Sequence, residues 1–198
     1  MKTEIRLYQP SDLSALYNIC LQTANSGKDA THLLSYPKLV GDLYAAPYAV
    51  FEPDLCFVVT CSGKPSGYIL GTRDSEKFYQ CCAIEWFPKL REKYPLPSVN
   101  DNSWDAPIIR LIYKDRVIKK ELEDYPAHLH IDLLPEIHGQ GIGRDLMHTF
   151  LNRLRKFGVP AVHLEVGGTN LGAIKYYQKM GFQIIKEYER SIAFGKKL

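Results

Sequence analysis

Two stretches of this 198-residue chain carry residue types and spacings that could do chemistry. In His138-Gly139-Gln140-Gly141-Ile142-Gly143, glycines alternate with larger residues just before an apolar-periodic run. Glycines let a backbone turn tightly and approach a ligand, and a helix N-terminus adds unpaired N–H donors and partial positive charge. This predicts binding of a phosphate or pyrophosphate, with a tight packing turn as the ordinary alternative. In His128-Leu129-His130-Ile131-Asp132, polar residues recur at period two. That spacing puts His128, His130 and Asp132 on one strand face, where a carboxylate can orient a histidine and raise its basicity. Asp132 or His130 is thus a candidate general base, against the commoner use of such residues as structural hydrogen-bonding groups. His163 and Glu165 are further polar candidates on a later strand.

The glycine run does not match the two best-known phosphate fingerprints. The nucleoside-triphosphate loop needs Gly-Lys-Ser/Thr, which is absent. The dinucleotide pattern G-x-G-x-x-G fails in both registers, at Arg144 and at Leu146. Glu165 stands where a ribose-binding acid could stand, so a nicotinamide enzyme is weakened as a reading but kept.

The elements that must position these residues follow from periodicity. Ile5–Tyr8 reads as a strand, and Pro10-Ser11-Asp12 as a helix start with Ser11 or Asp12 as cap. Leu13, Leu16, Tyr17, Cys20 and Leu21 form the buried face of that helix. Short helical pieces interrupted at Pro37 and Pro47 fill 27–53. Leu55–Cys61 and Pro65–Gly71, joined by Ser62-Gly63-Lys64, read as a hairpin. Residues 72–126 are an insert, with a helix near Phe78–Tyr94 and a helix or strand near Ile108–Ile118. His128–Leu133 is a strand, and Leu146–Phe157 lies in an amphipathic helix. Ala161–Val166 is a strand, Asn170 caps a helix ended by Gly181, and Phe182–Tyr188 is the last strand. The sum is one α/β domain over 1–198 with a mixed sheet and an insert at about 72–126.

A second constellation, Asn170, Ala173, Tyr176, Tyr177, Gly181 and Phe182, follows the glycine run in a fixed order. With Ile5-Arg6, Ser11-Asp12-Leu13 and the stretch Tyr125–Pro135, it carries a resemblance. The chain resembles the GNAT acyltransferase superfamily, and within it the acetyltransferase-like domain of O-GlcNAcases and its free-standing microbial relatives. The resemblance is clear over 125–188 and weaker over 3–71. It implies a GNAT-like, mostly antiparallel central sheet flanked by helices, with the insert between the third and fourth strands. The implied cofactor is acetyl-CoA. The amides of Gln140, Gly141, Ile142, Gly143 and Arg144 would hold its pyrophosphate beside His138 and Gly139, with His138 in place of the usual Gln or Arg. Backbone near Leu133 and Leu134 would pair with the pantetheine arm, and Asn170, Ala173, Tyr176 and Tyr177 would lie along the thioester end. The implied activity is N-acetyl transfer by direct attack of an amine, on a small molecule or a protein lysine, with Tyr177 as the acid. Periodicity by itself makes Tyr177 a core aromatic. An inactive acetyl-CoA-binding sensor or interaction module is the alternative.

Composition bounds the rest. The chain is 45% hydrophobic and 12% aromatic, enough to exclude general disorder. A net charge of +3 is too mild to imply a nucleic-acid partner, and Arg153-Leu154-Arg155-Lys156 reads as a helix's last turn. No apolar run is long enough for a membrane span, and the N-terminus Met1–Arg6 is charged where a secretory signal would be apolar. Five cysteines without a Cys-x-x-Cys pair predict reduced thiols, a cytoplasmic setting and no metal site. The acceptor site is expected from 26–50 and the insert, including Trp86 and Trp104, with Asp74, Glu76, Glu85, Glu92, Asp101 and Asp105 as solvated surface charge. Oligomeric state is not legible in the sequence.

Overall fold

The computed structural model describes residues 2–198, so Met1 of the charged N-terminus lies outside it. Seven strands form one sheet: β1 (Thr3–Leu7), β2 (Phe57–Cys61), β3 (Lys64–Thr72), β4 (Ala127–Leu133), β5 (Ala161–Gly167), β6 (Gln183–Glu187) and β7 (Ser191–Lys197). Their order is β1-β2-β3-β4-β5-β7-β6. Every neighbouring pair is antiparallel except β4 and β5, which run parallel at the centre. The mixed, mostly antiparallel sheet expected from sequence is therefore present.

Strand alternation gives the sheet two apolar faces, each covered by helices. On the first lie α1 (Leu13–Thr23), α2 (Leu39–Tyr44), α3 (Ala46–Phe51), α4 (Ser75–Cys81), α5 (Phe87–Lys93) and α6 (Asp105–Tyr113). On the second lie α7 (Ile142–Lys156) and α8 (Leu171–Lys179). α7 buries Leu146, Met147, Phe150, Leu151 and Leu154 and ends on Arg153, Arg155 and Lys156, cations suited to a helix C-terminus. The β2–β3 turn has positive φ at both Ser62 (49°) and Gly63 (82°), the backbone a two-residue hairpin demands.

Three expectations need correction. Neither Ser11 nor Asp12 caps α1 with its side chain: Asp12 instead bonds back to the Gln9 amide at 2.8 Å and is held by both guanidinium nitrogens of Arg6. Pro47 does not interrupt a helix but opens α3, where its missing N–H costs nothing. The last strand is not Phe182–Tyr188; β7 follows it and inserts between β5 and β6. Ser191–Lys197 alternates poorly and contains Gly195, so its pairing on both sides is a long-range fact that local pattern does not carry.

One buried carboxylate gathers several of the bonds that dock the insert. Asp42, 5% exposed on α2, accepts from Tyr17 of α1, from Lys93 Nζ at 2.6 Å and from the Tyr94 hydroxyl at 2.6 Å. Its carbonyl accepts the Trp86 indole at 2.7 Å. Asp42→Ala leaves two tyrosine hydroxyls without their acceptor, whereas half-exposed Lys93 returns to water. The expected cost is about 2–3 kcal/mol, read as a lower midpoint in urea unfolding; an unchanged midpoint would remove Asp42 as the anchor of the insert.

Candidate active site

The central parallel pair is zipped at one end only. β4 and β5 register at Ala127–Val162 and His128–His163. Beyond these, β4 continues to Leu133 along β3, and β5 continues to Gly167 along β7. The two strands therefore part and leave a slot through the sheet. The Leu134 amide donates to the Ser66 carbonyl at 2.8 Å. Alternation along the antiparallel ladder then turns the backbone groups of Leu129, Ile131 and Leu133 toward the slot. The Leu134 N–H is thus committed to β3, and Ile131, which sequence reasoning did not single out, joins Leu133 on the open edge.

The glycine turn stands at the mouth of this slot. Gly139 and Gly141 have φ of +75° and +79°, a region that glycine enters without strain. Gly141 is the N-cap of α7 and no side chain caps the helix, so its first amides point outward unpaired. A Cβ on Gly143 would stand 3.2 Å from Leu133 Cδ1, so this glycine lets α7 pack close against β4. Around the turn, His138 Nε2 donates to the Leu133 carbonyl at 2.9 Å, Gln140 bonds the Glu136 carbonyl at 3.1 Å, and the Arg144 side chain is two-thirds exposed.

On the second face, Asn170 caps α8 through the Ala173 amide at 3.1 Å, and the Tyr176 hydroxyl donates to the Gly143 carbonyl at 2.8 Å, tying α8 to the glycine turn. The Tyr177 ring is 8% exposed among Tyr176, Phe182 and Phe194. No group among the described residues hydrogen-bonds its hydroxyl, and every enclosed side-chain oxygen has a partner. The hydroxyl is therefore the tip that opens on accessible space. Burial raises the pKa of this phenol, and Asp132 and Tyr176 add to the rise, so it stays protonated.

On the first face, His128, His130 and Asp132 project together as their spacing predicts, but Asp132 bonds neither histidine and so does not raise their basicity as expected. Tyr68 donates to Asp132 at 2.6 Å, and burial raises the pKa of that carboxyl against the Tyr68 bond. His130 meets the Tyr48 hydroxyl at 3.1 Å and Tyr44 edge-on; burial lowers its pKa to about 4, with Arg116 and His163 acting the same way. His128, 4% exposed, is pushed far down by burial. His163 faces it from β5 and bonds the Tyr125 carbonyl at 2.7 Å. Glu165 pairs with Lys119 at 2.6 Å on the surface. Tyr177 and the His–Asp row thus sit on opposite faces of β4, with the slot between them.

Aromatic residues from both segments expected to flank the site lie against the histidine row. Tyr44 and Tyr48 from 26–50, and Tyr79 from the insert, reach the histidine row. Trp86 is committed to the Asp42 carbonyl, and Trp104 is 52% exposed. Asp105 is no surface charge: it is 3% exposed and accepts the Ser35 and Tyr36 amides. Asp74 caps α4. Sequence reasoning missed Tyr48, Tyr68, Ser75 and Arg116, none of which belongs to a motif. Among the described residues, no helix is long and apolar enough to cross a membrane.

Comparisons with known proteins agree with this geometry. The acetyltransferase (GNAT) family matches residues 113–182, from the end of α6 to the end of the glycine-aromatic constellation. Protein O-GlcNAcase of Rattus norvegicus is 28% identical over 186 residues, which are 92% of this chain and 20% of that protein. The chain thus spans about a fifth of the length of the O-GlcNAcases it matches. The crystal structure of SsHAT superposes with a TM-score of 0.94 at 37% identity, covering 100% of this chain and 98% of that one. The PaiA N-acetyltransferase of Thermoplasma acidophilum, in complex with coenzyme A, shares the fold at a TM-score of 0.62 and 16% identity, covering 100% of both chains. Glycine turn, parted central strands, family match and a full-length relative converge: the chain belongs to the GNAT acetyltransferase family.

Proposed function

We propose that the chain is an acetyl-CoA-dependent N-acetyltransferase that moves an acetyl group to an amine by direct attack. The observation that carries this reading is the uncapped N-terminus of α7, behind two left-handed glycines, at the mouth of the slot between β4 and β5. The amides of Gln140 to Arg144 suit a pyrophosphate, with the Arg144 charge beside them. The open edge at Ile131 and Leu133 offers strand-like pairing to an amide-bearing arm. Acetyl-CoA, when bound, supplies an acetyl group already activated as a thioester.

The chain's own residues divide the proton work across the sheet. An alkyl ammonium, with an ordinary pKa of about 10.4, is not nucleophilic until it loses a proton. On the first face, His130 and Asp132 are the groups that can take that proton. On the second face, the protonated Tyr177 hydroxyl can give one to the departing thiol. The amine therefore enters among Tyr44, Tyr79 and His130, and the acceptor is a small amine or a protein lysine.

Thermal shift tests the coenzyme. At a hundredfold excess over Kd, coenzyme A should add about 2.7 kcal/mol, or roughly 5–10 °C for a domain of this size, and NAD should add nothing. Protection by NAD instead of coenzyme A would overturn the reading, as would failure of acetyl-CoA to release thiol with every member of an amine panel.

A further inference from the structure

Four side chains on the first face form one line of hydrogen bonds, and a single carbonyl at its end fixes the direction of them all. The Ser75 hydroxyl lies 2.7 Å from the Pro126 carbonyl and 2.6 Å from His128 Nδ1. His128 Nε2 lies 2.6 Å from the Tyr48 hydroxyl, which lies 3.1 Å from His130 Nε2. A carbonyl only accepts, and a serine has one proton to give. Ser75 therefore donates to Pro126 and accepts from His128 Nδ1–H. A neutral His128 then has a bare Nε2, which accepts the Tyr48 proton. The Tyr48 oxygen in turn accepts from His130 Nε2–H, and the bare nitrogen of neutral His130 is Nδ1.

Both rings are held neutral by their surroundings. Burial disfavours the imidazolium at each, and Arg116 from the segment after α6 and His163 from β5 add positive influence. The ionisable groups facing them from the helices, Tyr44 of α2, Tyr79 of α4 and Cys82 after it, are all raised by burial and stay uncharged. Asp132, next but one on β4, is turned to Tyr68. Nδ1 of His130 has no hydrogen-bond partner among the described residues, and every enclosed side-chain nitrogen has one, so Nδ1 opens on accessible space.

We propose that Ser75, His128 and Tyr48 are positioning residues that hold the His130 proton on Nε2 and so present Nδ1 as the base that deprotonates the acceptor. The proposal rests on the acetyltransferase reading. In the step, one N–H bond of the acceptor ammonium breaks and its electron pair stays on the amine nitrogen. A bond from that proton to Nδ1 forms, and the imidazolium, still donating through Nε2 to Tyr48, later releases the proton to water. With the line reversed, His130 would carry its proton on Nδ1 and offer the amine no lone pair.

Long-range proton–nitrogen correlation of the imidazoles at pH 7 reads the tautomers directly, without coenzyme. Wild type should show His130 protonated on Nε2 and His128 on Nδ1; the opposite pair overturns the proposal. Ser75→Ala removes the acceptor that fixes the direction, although Ser75 touches neither His130 nor the slot. A second His130 tautomer should then appear, and acetyl transfer from acetyl-CoA to an amine should fall about 10-fold or more at unchanged KM for acetyl-CoA. Tyr48→Phe keeps the ring stacked on Phe78 at 4.3 Å and cuts the line at its middle, so it should give the same loss. Transfer unaffected by either variant refutes the positioning line alone. The expected tautomers in a wild type that acetylates no amine refute the acetyltransferase reading and the base role with it.

Discussion

Tyr177→Phe should keep coenzyme A binding within about twofold and lower acetyl transfer by roughly 100-fold, the scale of one lost general acid. The split follows from the surroundings of the residue. The ring supplies the packing, against Phe182 and Phe194 at 5.9 Å each, and phenylalanine retains it. The hydroxyl makes no hydrogen bond within the described residues, so its removal strands no partner and costs little stability. What is lost is a proton held at the slot by burial, with the Asp132 carboxylate reinforcing it from the other face. Initial rates at saturating acetyl-CoA, together with isothermal titration of coenzyme A, read the two quantities separately. A variant that turns over at the wild-type rate would return Tyr177 to the role of a core aromatic.

The second large effect is acid sensitivity. His130 binds a proton near pH 6.5 in the unfolded chain and only near pH 4 in the folded one. Between those values the unfolded state holds the extra proton, so stability falls as the pH is lowered through that window. At about 1.36 kcal/mol per unit, this single group removes roughly 3 kcal/mol. His128 and His163 are shifted down too and act in the same direction. Asp132, shifted up, works oppositely. Urea unfolding at pH 7, 5.5 and 4.5 should show a progressive loss, and His130→Gln should reduce it, leaving the share of His128 and His163. Equal stability of the wild type at pH 7 and 4.5 would mean that the histidines charge freely in the folded protein.

The legible and illegible parts of this site differ in kind. The glycine turn, the α8 cap at Asn170 and the row His128–His130–Asp132 are local patterns, and each stands where its spacing put it. The hairpin at Ser62–Gly63 was equally plain, since only a few residue types accept both positive φ values. Nothing local marks Tyr48 or Ser75, which meet His128 from 80 and 53 residues away. The resemblance implies an open edge near Leu133 and Leu134, but sequence gives a strand's faces and not which of its edges a neighbour takes; Ser66 takes the Leu134 N–H. The same limit hid β7, whose partners lie on either side of it in the sheet. Asp105 looked like solvent charge because its acceptors' donors, the Ser35 and Tyr36 amides, are about seventy residues upstream.

The parting of β4 from β5 also bears on the order of events. Under the proposed function the coenzyme lies on one side of this slot and the amine on the other, so both reactants can be present at once. No acetylated enzyme is then required to ferry the group between visits. The buried thiol of Cys20 is ill suited to that errand: burial and the nearby Asp132 raise its pKa and keep it from ionising. Under the proposed function, initial-rate kinetics should therefore be sequential rather than ping-pong.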